Sequence, residues 1–204
     1  MFLYRPLGRR TPMTGKIGVS PKKKGKSPKE RARPVEMILM DVDGTLTDGT
    51  LMVLPDGEEV KAYNVRDGLG ILLAHLAGIR LGIITGKTSK SLEKRAERLR
   101  IYDVHQGILD KKKKLLEILE KHRLTPERVA YIGDDLGDLA VMKSVGLAAA
   151  VADAHPEIRK SAHYVCRAAG GKGAVREFIE FVLESQDKWG EIKTRAHEIR
   201  NPND

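Results

Sequence analysis

From residue 35 onward, short apolar runs alternate with stretches whose apolar residues recur at helical spacing. That alternation restricts the fold more than any other feature of the chain. "VEMILM", "IRLGIIT", "IYDVHQ", "RVAYIG", "GLAAAVA" and "HYVCR" read as strands. Between and after them lie "DGLGILLAHLAG", with Leu69, Leu72, Leu73 and Leu76 on one face, and "SKSLEKRAERL". "DKKKKLLEILEKH", "LGDLAVMKSV", "HPEIRKSA" and "GAVREFIEFVLESQ" continue the helical series. Strand following helix at this rhythm predicts a mainly parallel sheet covered on both faces, a Rossmann-like three-layer α/β sandwich. Residues 49–64 break the rhythm. There Pro55-Asp56-Gly57 supplies turn chemistry between two short apolar-to-polar runs, which predicts a small β-hairpin insertion.

Charge divides the chain. The net charge of +9 suggests a polyanion ligand, but residues 1–34 hold eleven of the 37 basic residues and one of the 28 acidic ones. The remaining 26 basic and 27 acidic residues nearly cancel. The basicity therefore belongs to a Lys-, Pro- and Gly-rich extension expected to be disordered over 1–34. The domain is expected at 35–187 and a polar tail at 188–204. With aromatics at 4%, the domain has little material for stacking bases and is not expected to bind nucleic acid. No stretch is apolar for long enough to span a membrane. The one cysteine, Cys166, excludes an internal disulfide framework and suits a reducing cytoplasm as a core residue.

In an open parallel sheet, ligands sit beyond the carboxyl ends of the strands. Three polar clusters fall at such ends: "DVDGT", "TGKTS" and "GDDLGD". Asp41, Asp43 and Asp48 crowd into one stretch, and crowded carboxylates need a cation, a catalytic role, or both. Lys111 opens a predicted helix, where a cation opposes the helix dipole and wants an anionic partner. Thr85 offers a hydroxyl beside the small Gly86, and Asp134 and Asp135 end another strand. All-oxygen ligands of this kind describe Mg²⁺ rather than zinc or iron. The chemistry that fits is attack by Asp41 on phosphorus, with Asp43 as the acid that protonates the leaving oxygen and later takes a proton from water. Thr85 would hydrogen-bond the transferring group, Lys111 would neutralise charge, and Asp138 would orient Lys111.

These residues resemble the phosphatases of the haloacid dehalogenase superfamily. The DxD motif is Asp41-Val42-Asp43, followed in order by Thr85, Lys111 and Gly133-Asp134-Asp135-x-x-Asp138. Neither the interval from Asp43 to Thr85 nor that from Thr85 to Lys111 can hold a folded cap domain. Shielding of the site must then come from elsewhere, and the hairpin is the spare element.

At finer grain, most of residues 35–190 look like the 3-deoxy-D-manno-octulosonate 8-phosphate phosphatases. The stretches "DVDGTLTDG", "NVRDGLGI", "HQGILDK", "AYIGDDLGDL", "GGKGAVRE" and "SQDKW" carry that resemblance. It implies a capless fold, a homotetramer closed by each neighbour's hairpin, and Mg²⁺ held by Asp41, the backbone carbonyl of Asp43, and Asp134. It also implies that Asp43, Asn64, Val65, Arg66, Asp67, Gly68, Leu72, Lys87, Arg95 and Lys111 line the substrate. One departure stands out: the family usually has arginine where this chain has Lys87, which keeps the charge but loses the planar fork. A related branch acting on a nine-carbon substrate carries an acidic residue there, so Lys87 leans towards the eight-carbon sugar. The alternatives are a phosphatase of that nine-carbon keto-acid and a catalytically idle module of the same fold. Lys172 in "GGKG" is a further candidate anion contact, and Trp189 an interface anchor or a packing residue.

Overall fold

In the computed structural model, residues 25–199 are described. Most of the basic extension, and residues 200–204, fall outside them. The chain runs α1 (Pro28–Ala32), β1 (Met37–Met40), the hairpin strands β2 (Met52–Val53) and β3 (Glu59–Val60), α2 (Val65–Leu76), β4 (Arg80–Ile84), α3 (Lys90–Arg98) and β5 (Asp103–His105). It continues through α4 (Lys111–His122), β6 (Val129–Gly133), α5 (Leu139–Met142), β7 (Leu147–Ala150), α6 (Pro156–Ser161), β8 (Tyr164–Val165), α7 (Ala174–Ser185) and α8 (Trp189–Thr194).

Six strands form one sheet in the order β5-β4-β1-β6-β7-β8, and every adjacent pair is parallel. The expected α/β sandwich is therefore the observed one. β1 lies in the middle and is buried at all four positions, as a strand covered on both faces must be. From β1 the chain winds outward through β4 to β5, then returns to the other side of β1 with β6. The reversal places a crevice beyond the carboxyl ends of β1, β4 and β6, where open sheets bind ligands. The three polar clusters follow those strands. The hairpin pairs Met52 with Val60 and Val53 with Glu59, turning through Pro55-Asp56-Gly57 as its sequence predicts. Among the described residues no cap domain interrupts the chain.

Side-chain caps set the helix starts facing the crevice. Asn64 accepts the Arg66 N–H at 2.8 Å ahead of α2, and Asp110 accepts the Lys113 N–H at 2.9 Å ahead of α4. The latter fixes Lys111 as the first residue of its helix, with its side chain buried.

Two boundaries differ from expectation. The extension was expected to be disordered to residue 34, yet Ser27 and Glu30 form a reciprocal capping box, Pro28 starts α1, and Ala32 and Val35 are buried. Composition averaged over the extension hides these few ordering contacts. Past residue 187, where a polar tail was expected, the described residues form α8 and a 3-10 turn at Ala196–Glu198. Ile192 is buried, and the Arg176 guanidinium lies 5.5 Å from the centre of the Trp189 ring. That contact gives Trp189 a packing role.

The junction of α1 with the domain rests on Gln186, whose Nε2 donates to the carbonyls of Ala32 at 3.1 Å and Val35 at 2.7 Å. Gln186→Ala is expected to lower stability by about 1–2 kcal/mol in urea unfolding. The crevice chemistry should be unaffected, because Gln186 lies at the end of α7, remote from the rim.

Candidate functional site

Asp41 follows β1 directly, and its Oδ1 accepts from Lys111 Nζ at 2.5 Å. The same ammonium donates to Asp138 Oδ1 at 2.7 Å and lies 3.4 Å from the Tyr131 hydroxyl. Tyr131 Oη donates to Asp138 Oδ1 at 2.7 Å, while Asp138 Oδ2 accepts the N–H groups of Asp134 at 3.0 Å and Asp135 at 3.3 Å. Asp138 is thus fully occupied in holding Lys111 and the turn after β6. Thr45 Oγ1 donates to Asp134 Oδ1 at 2.9 Å. Thr85 is buried after β4, where its hydroxyl accepts the Lys87 N–H at 3.4 Å.

Glycines let these loops close. A Cβ on Gly44, whose φ is +90°, would fall 2.1 Å from Asp134 Oδ2. One on Gly170 would fall 1.8 Å from the carbonyl oxygen of Gly44, so the "GGKG" loop is a backbone buttress under the DxD loop. Lys172, the candidate anion contact there, pairs with Asp48 at 3.2 Å on the surface.

Carboxylate oxygens of Asp41, Asp134 and Asp138 lie within 4.8 Å of one another. Burial and the neighbouring Asp138 push Asp41 up to about 6, against the opposing pull of Lys111. Asp134 is pushed up to about 8, by burial first and then by Asp41, with only the Thr45 hydroxyl opposing. Burial alone would lower Lys111, but Asp41 and Asp138 outweigh it and hold the ammonium above its ordinary value. Buried carboxylates that find it this hard to ionise are short of one positive charge centre. Their all-oxygen chemistry fits a hard divalent cation, and Asp41 and Asp134 are the carboxylates that could hold it, Asp138 being engaged.

The other expected residues are placed as follows. Asp43 forms a close ion pair with Lys61 at the foot of the hairpin, a partner that sequence reasoning missed. Lys87 pairs with Glu59 of the hairpin at 3.4 Å. Arg95 lies 5.8 Å from the Tyr63 ring centre, reaches the Asn64 carbonyl at 3.5 Å, and packs against Gly68. Val65 and Arg66 are exposed at the start of α2, and Leu72 is half-buried against the core. Asp67 is buried, accepts the Arg176 N–H at 2.8 Å at the start of α7, and lines a cavity together with Asn64, Gly68 and Arg95. The structure therefore gathers Asp41, Lys111, Asp134 and Asp138 into one cluster. Tyr131, Thr45 and Lys61 are additions. Asp67 and Tyr131 meet partners that local pattern does not reveal, whereas Thr45 stands in the "DVDGT" stretch itself.

The family model for haloacid dehalogenase-like hydrolases matches residues 84–179. The 3-deoxy-D-manno-octulosonate 8-phosphate phosphatase of Yersinia pestis is 48% identical over 159 residues, covering 78% of this chain and 85% of that protein. This chain belongs to the 3-deoxy-D-manno-octulosonate 8-phosphate phosphatase family. The Escherichia coli K12 member is 47% identical over 166 residues, 81% of this chain and 88% of its own length. The crystal structure of the Moraxella catarrhalis phosphatase of this family, in complex with magnesium ion, phosphate ion and a KDO molecule, superposes with a TM-score of 0.80. It shares 35% identity and covers 82% of this chain and 96% of that one.

The raised carboxylates give a pH test with a definite sign. A cation needs Asp134 and Asp41 ionised, whereas the cation-free cluster retains a proton through mildly acidic and neutral pH. Mg²⁺ binding should therefore tighten as pH rises from about 6 to 8 and release protons on binding. Calorimetry in buffers of different ionisation enthalpy reads that release, and Asp134→Asn should abolish it. Cation-free protein should lose stability over the same rise, because carboxylates raised by folding stabilise the fold only while protonated.

Proposed function

We propose that this chain is the Mg²⁺-dependent phosphatase that hydrolyses 3-deoxy-D-manno-octulosonate 8-phosphate to 3-deoxy-D-manno-octulosonate and inorganic phosphate, in lipopolysaccharide precursor synthesis. The observation that carries the reading is the buried cluster in which Lys111 bridges Asp41 and Asp138 beside Asp134, in a chain 47–48% identical to phosphatases of that name.

Asp41, the backbone carbonyl of Asp43, and Asp134 would hold Mg²⁺, which would supply the positive charge that lets a carboxylate approach a phosphate dianion. Asp41 forms the new bond to phosphorus as the bond to the sugar oxygen breaks, giving an aspartyl-phosphate. Asp43 protonates that oxygen and later takes a proton from the water that hydrolyses the intermediate. Lys111 balances charge on Asp41 and the phosphoryl group, and Thr85 donates to a phosphoryl oxygen. Asn64, Val65, Arg66, Asp67, Gly68, Leu72, Lys87 and Arg95 surround the sugar, with Lys87 and Arg95 facing its anionic groups. A positive charge at Lys87 supports the eight-carbon substrate over the nine-carbon one. The intact set of Asp41, Asp43, Thr85, Lys111 and Asp134 speaks against an idle module, which has no use for paired carboxylates.

The working form is a homotetramer in the cytoplasm, its domain spanning about residues 35–187 with the flanking helices packed on it. Leu51, Met52, Val53 and Leu54 support the assembly, since all four are exposed in succession on the hairpin. The single buried thiol of Cys166 is consistent with the compartment.

Across a panel of sugar phosphates, the eight-carbon keto-acid phosphate should be the preferred substrate, with release of phosphate lost to a chelator and restored by Mg²⁺. Asp41→Asn should lose at least about 10³-fold in kcat while melting as a folded protein. Full activity in that variant would refute the nucleophile assignment. Sedimentation should find four subunits, and Val53→Lys should shift the population to smaller species. A monomeric parent protein counts against the assembly.

A further inference from the structure

The two carboxylates of the DxD motif are held by different lysines from different parts of the chain. Asp41 has Lys111 from α4. Asp43 has Lys61, one residue past β3, at the foot of the hairpin. The Lys61 side chain is 2% exposed, so an ammonium has been taken out of water to reach Asp43, 18 residues earlier in the chain. A buried cation of that kind persists only with a partner whose position it also fixes. Lys61 Nζ engages Asp43 Oδ1, and no hydrogen bond among the described residues goes to Oδ2. Asp43 is absent from the cluster formed by Asp41, Asp134 and Asp138, to which like-charge repulsion would not admit it.

We propose that Lys61 is a positioning residue for the proposed acid-base step: by holding Asp43 Oδ1 it keeps the carboxylate away from the cluster, with Oδ2 free to exchange the proton. This rests on the phosphatase reading above. The proton balance is simple. As the phosphorus–sugar bond breaks, its electron pair stays on the sugar oxygen, which takes the proton from Asp43. In the second half, the attacking water returns a proton to Asp43 as the bond from Asp41 to phosphorus breaks. In the first half, a carboxylate turned from that path stops protonation of a strongly basic sugar alkoxide but matters little for p-nitrophenolate, which departs unprotonated. The second half is common to both substrates, so the comparison is made on release of the leaving group in a single turnover. Leaving-group dependence therefore separates positioning of the acid from mere support of the hairpin.

The test compares the parent chain, Lys61→Met, Lys61→Arg and Asp43→Asn in Mg²⁺ buffer. Substrates are 3-deoxy-D-manno-octulosonate 8-phosphate and p-nitrophenyl phosphate, and folding is followed by thermal melting. In a single turnover, Lys61→Met is expected to lose on the order of 10²-fold in the rate of sugar release from the sugar phosphate and less than about 5-fold in the rate of p-nitrophenolate release from the aryl ester. Asp43→Asn should show the same selective loss, and Lys61→Arg should restore most of the ratio between substrates. Equal losses on both substrates, or a change below about 2-fold on the sugar phosphate, overturn the proposal and leave Lys61 a hairpin anchor. If Lys61→Met does not fold, Lys61→Gln, which keeps a donor without the charge, is read by the same ratio. A parent chain that releases no phosphate from the sugar substrate sinks the phosphatase reading itself, a result separate from any behaviour of the Lys61 variants.

Discussion

The rim of the sheet depends on one buried ammonium. Lys111 sits between Asp41 and Asp138, with Asp134 close by, and all of these side chains are shielded from bulk water to a large degree. At an effective dielectric near 20, two like charges about 4 Å apart repel by roughly 4 kcal/mol, so three ionised carboxylates could not share this space unaided. Lys111 cancels one of them, and two negative charges remain, the charge of a single divalent cation. Asp43 does not enter this sum, because it stands apart from the cluster, held by Lys61. The arrangement reaches electrical balance only with the cation; burial first, and then the neighbouring carboxylates, make Asp41 and Asp134 reluctant to ionise without it.

That balance was largely legible in the chain. Asp41, Thr85, Lys111, Asp134 and Asp138 each follow a strand or open a helix that hydrophobic periodicity reveals, and the fold class brings such ends together. Lys61 was not legible. It lies in a polar stretch that reads as solvated hairpin, and only the path of the return strand turns it inward. Tyr131 looks like one more apolar residue of a buried strand, and its hydroxyl acquires meaning only from Asp138, seven residues on. Asp67 has a contact of the same hidden kind: it stands in "NVRDGLG", and its carboxylate also meets the start of a helix 109 residues away. α1 was hidden by composition, because a few ordering contacts weigh little against a run of lysines. Local pattern reaches elements and their ends; pairings between distant segments are decided by packing.

The hairpin shows how one small element serves two purposes. Two strands of two residues each are too short to be stable alone. What anchors them lies at their feet: Lys61 on Asp43, and Glu59 on Lys87. The strand carrying exposed apolar residues is thereby tied to both the DxD loop and the loop after β4. On the proposed reading, an assembly surface and a catalytic loop share a single rigid attachment, so seating the hairpin against a neighbour also fixes the surroundings of the acid.

The two ties are unequal, and the difference bears on Lys87. Lys61 is buried against a half-buried Asp43, whereas Lys87 and Glu59 retain substantial exposure, and their contact is long at 3.4 Å. Exposed pairs of this kind contribute about 0–1 kcal/mol. On the proposed reading, a substrate carboxylate can therefore take Lys87 from Glu59 at little cost. An arginine in the same place would offer Glu59 a two-pronged grip and be harder to release, while holding a substrate carboxylate more firmly once free. Lysine at this position thus trades geometric definition for ease of exchange, and the deeper Lys61 tie keeps the hairpin in place while that exchange occurs.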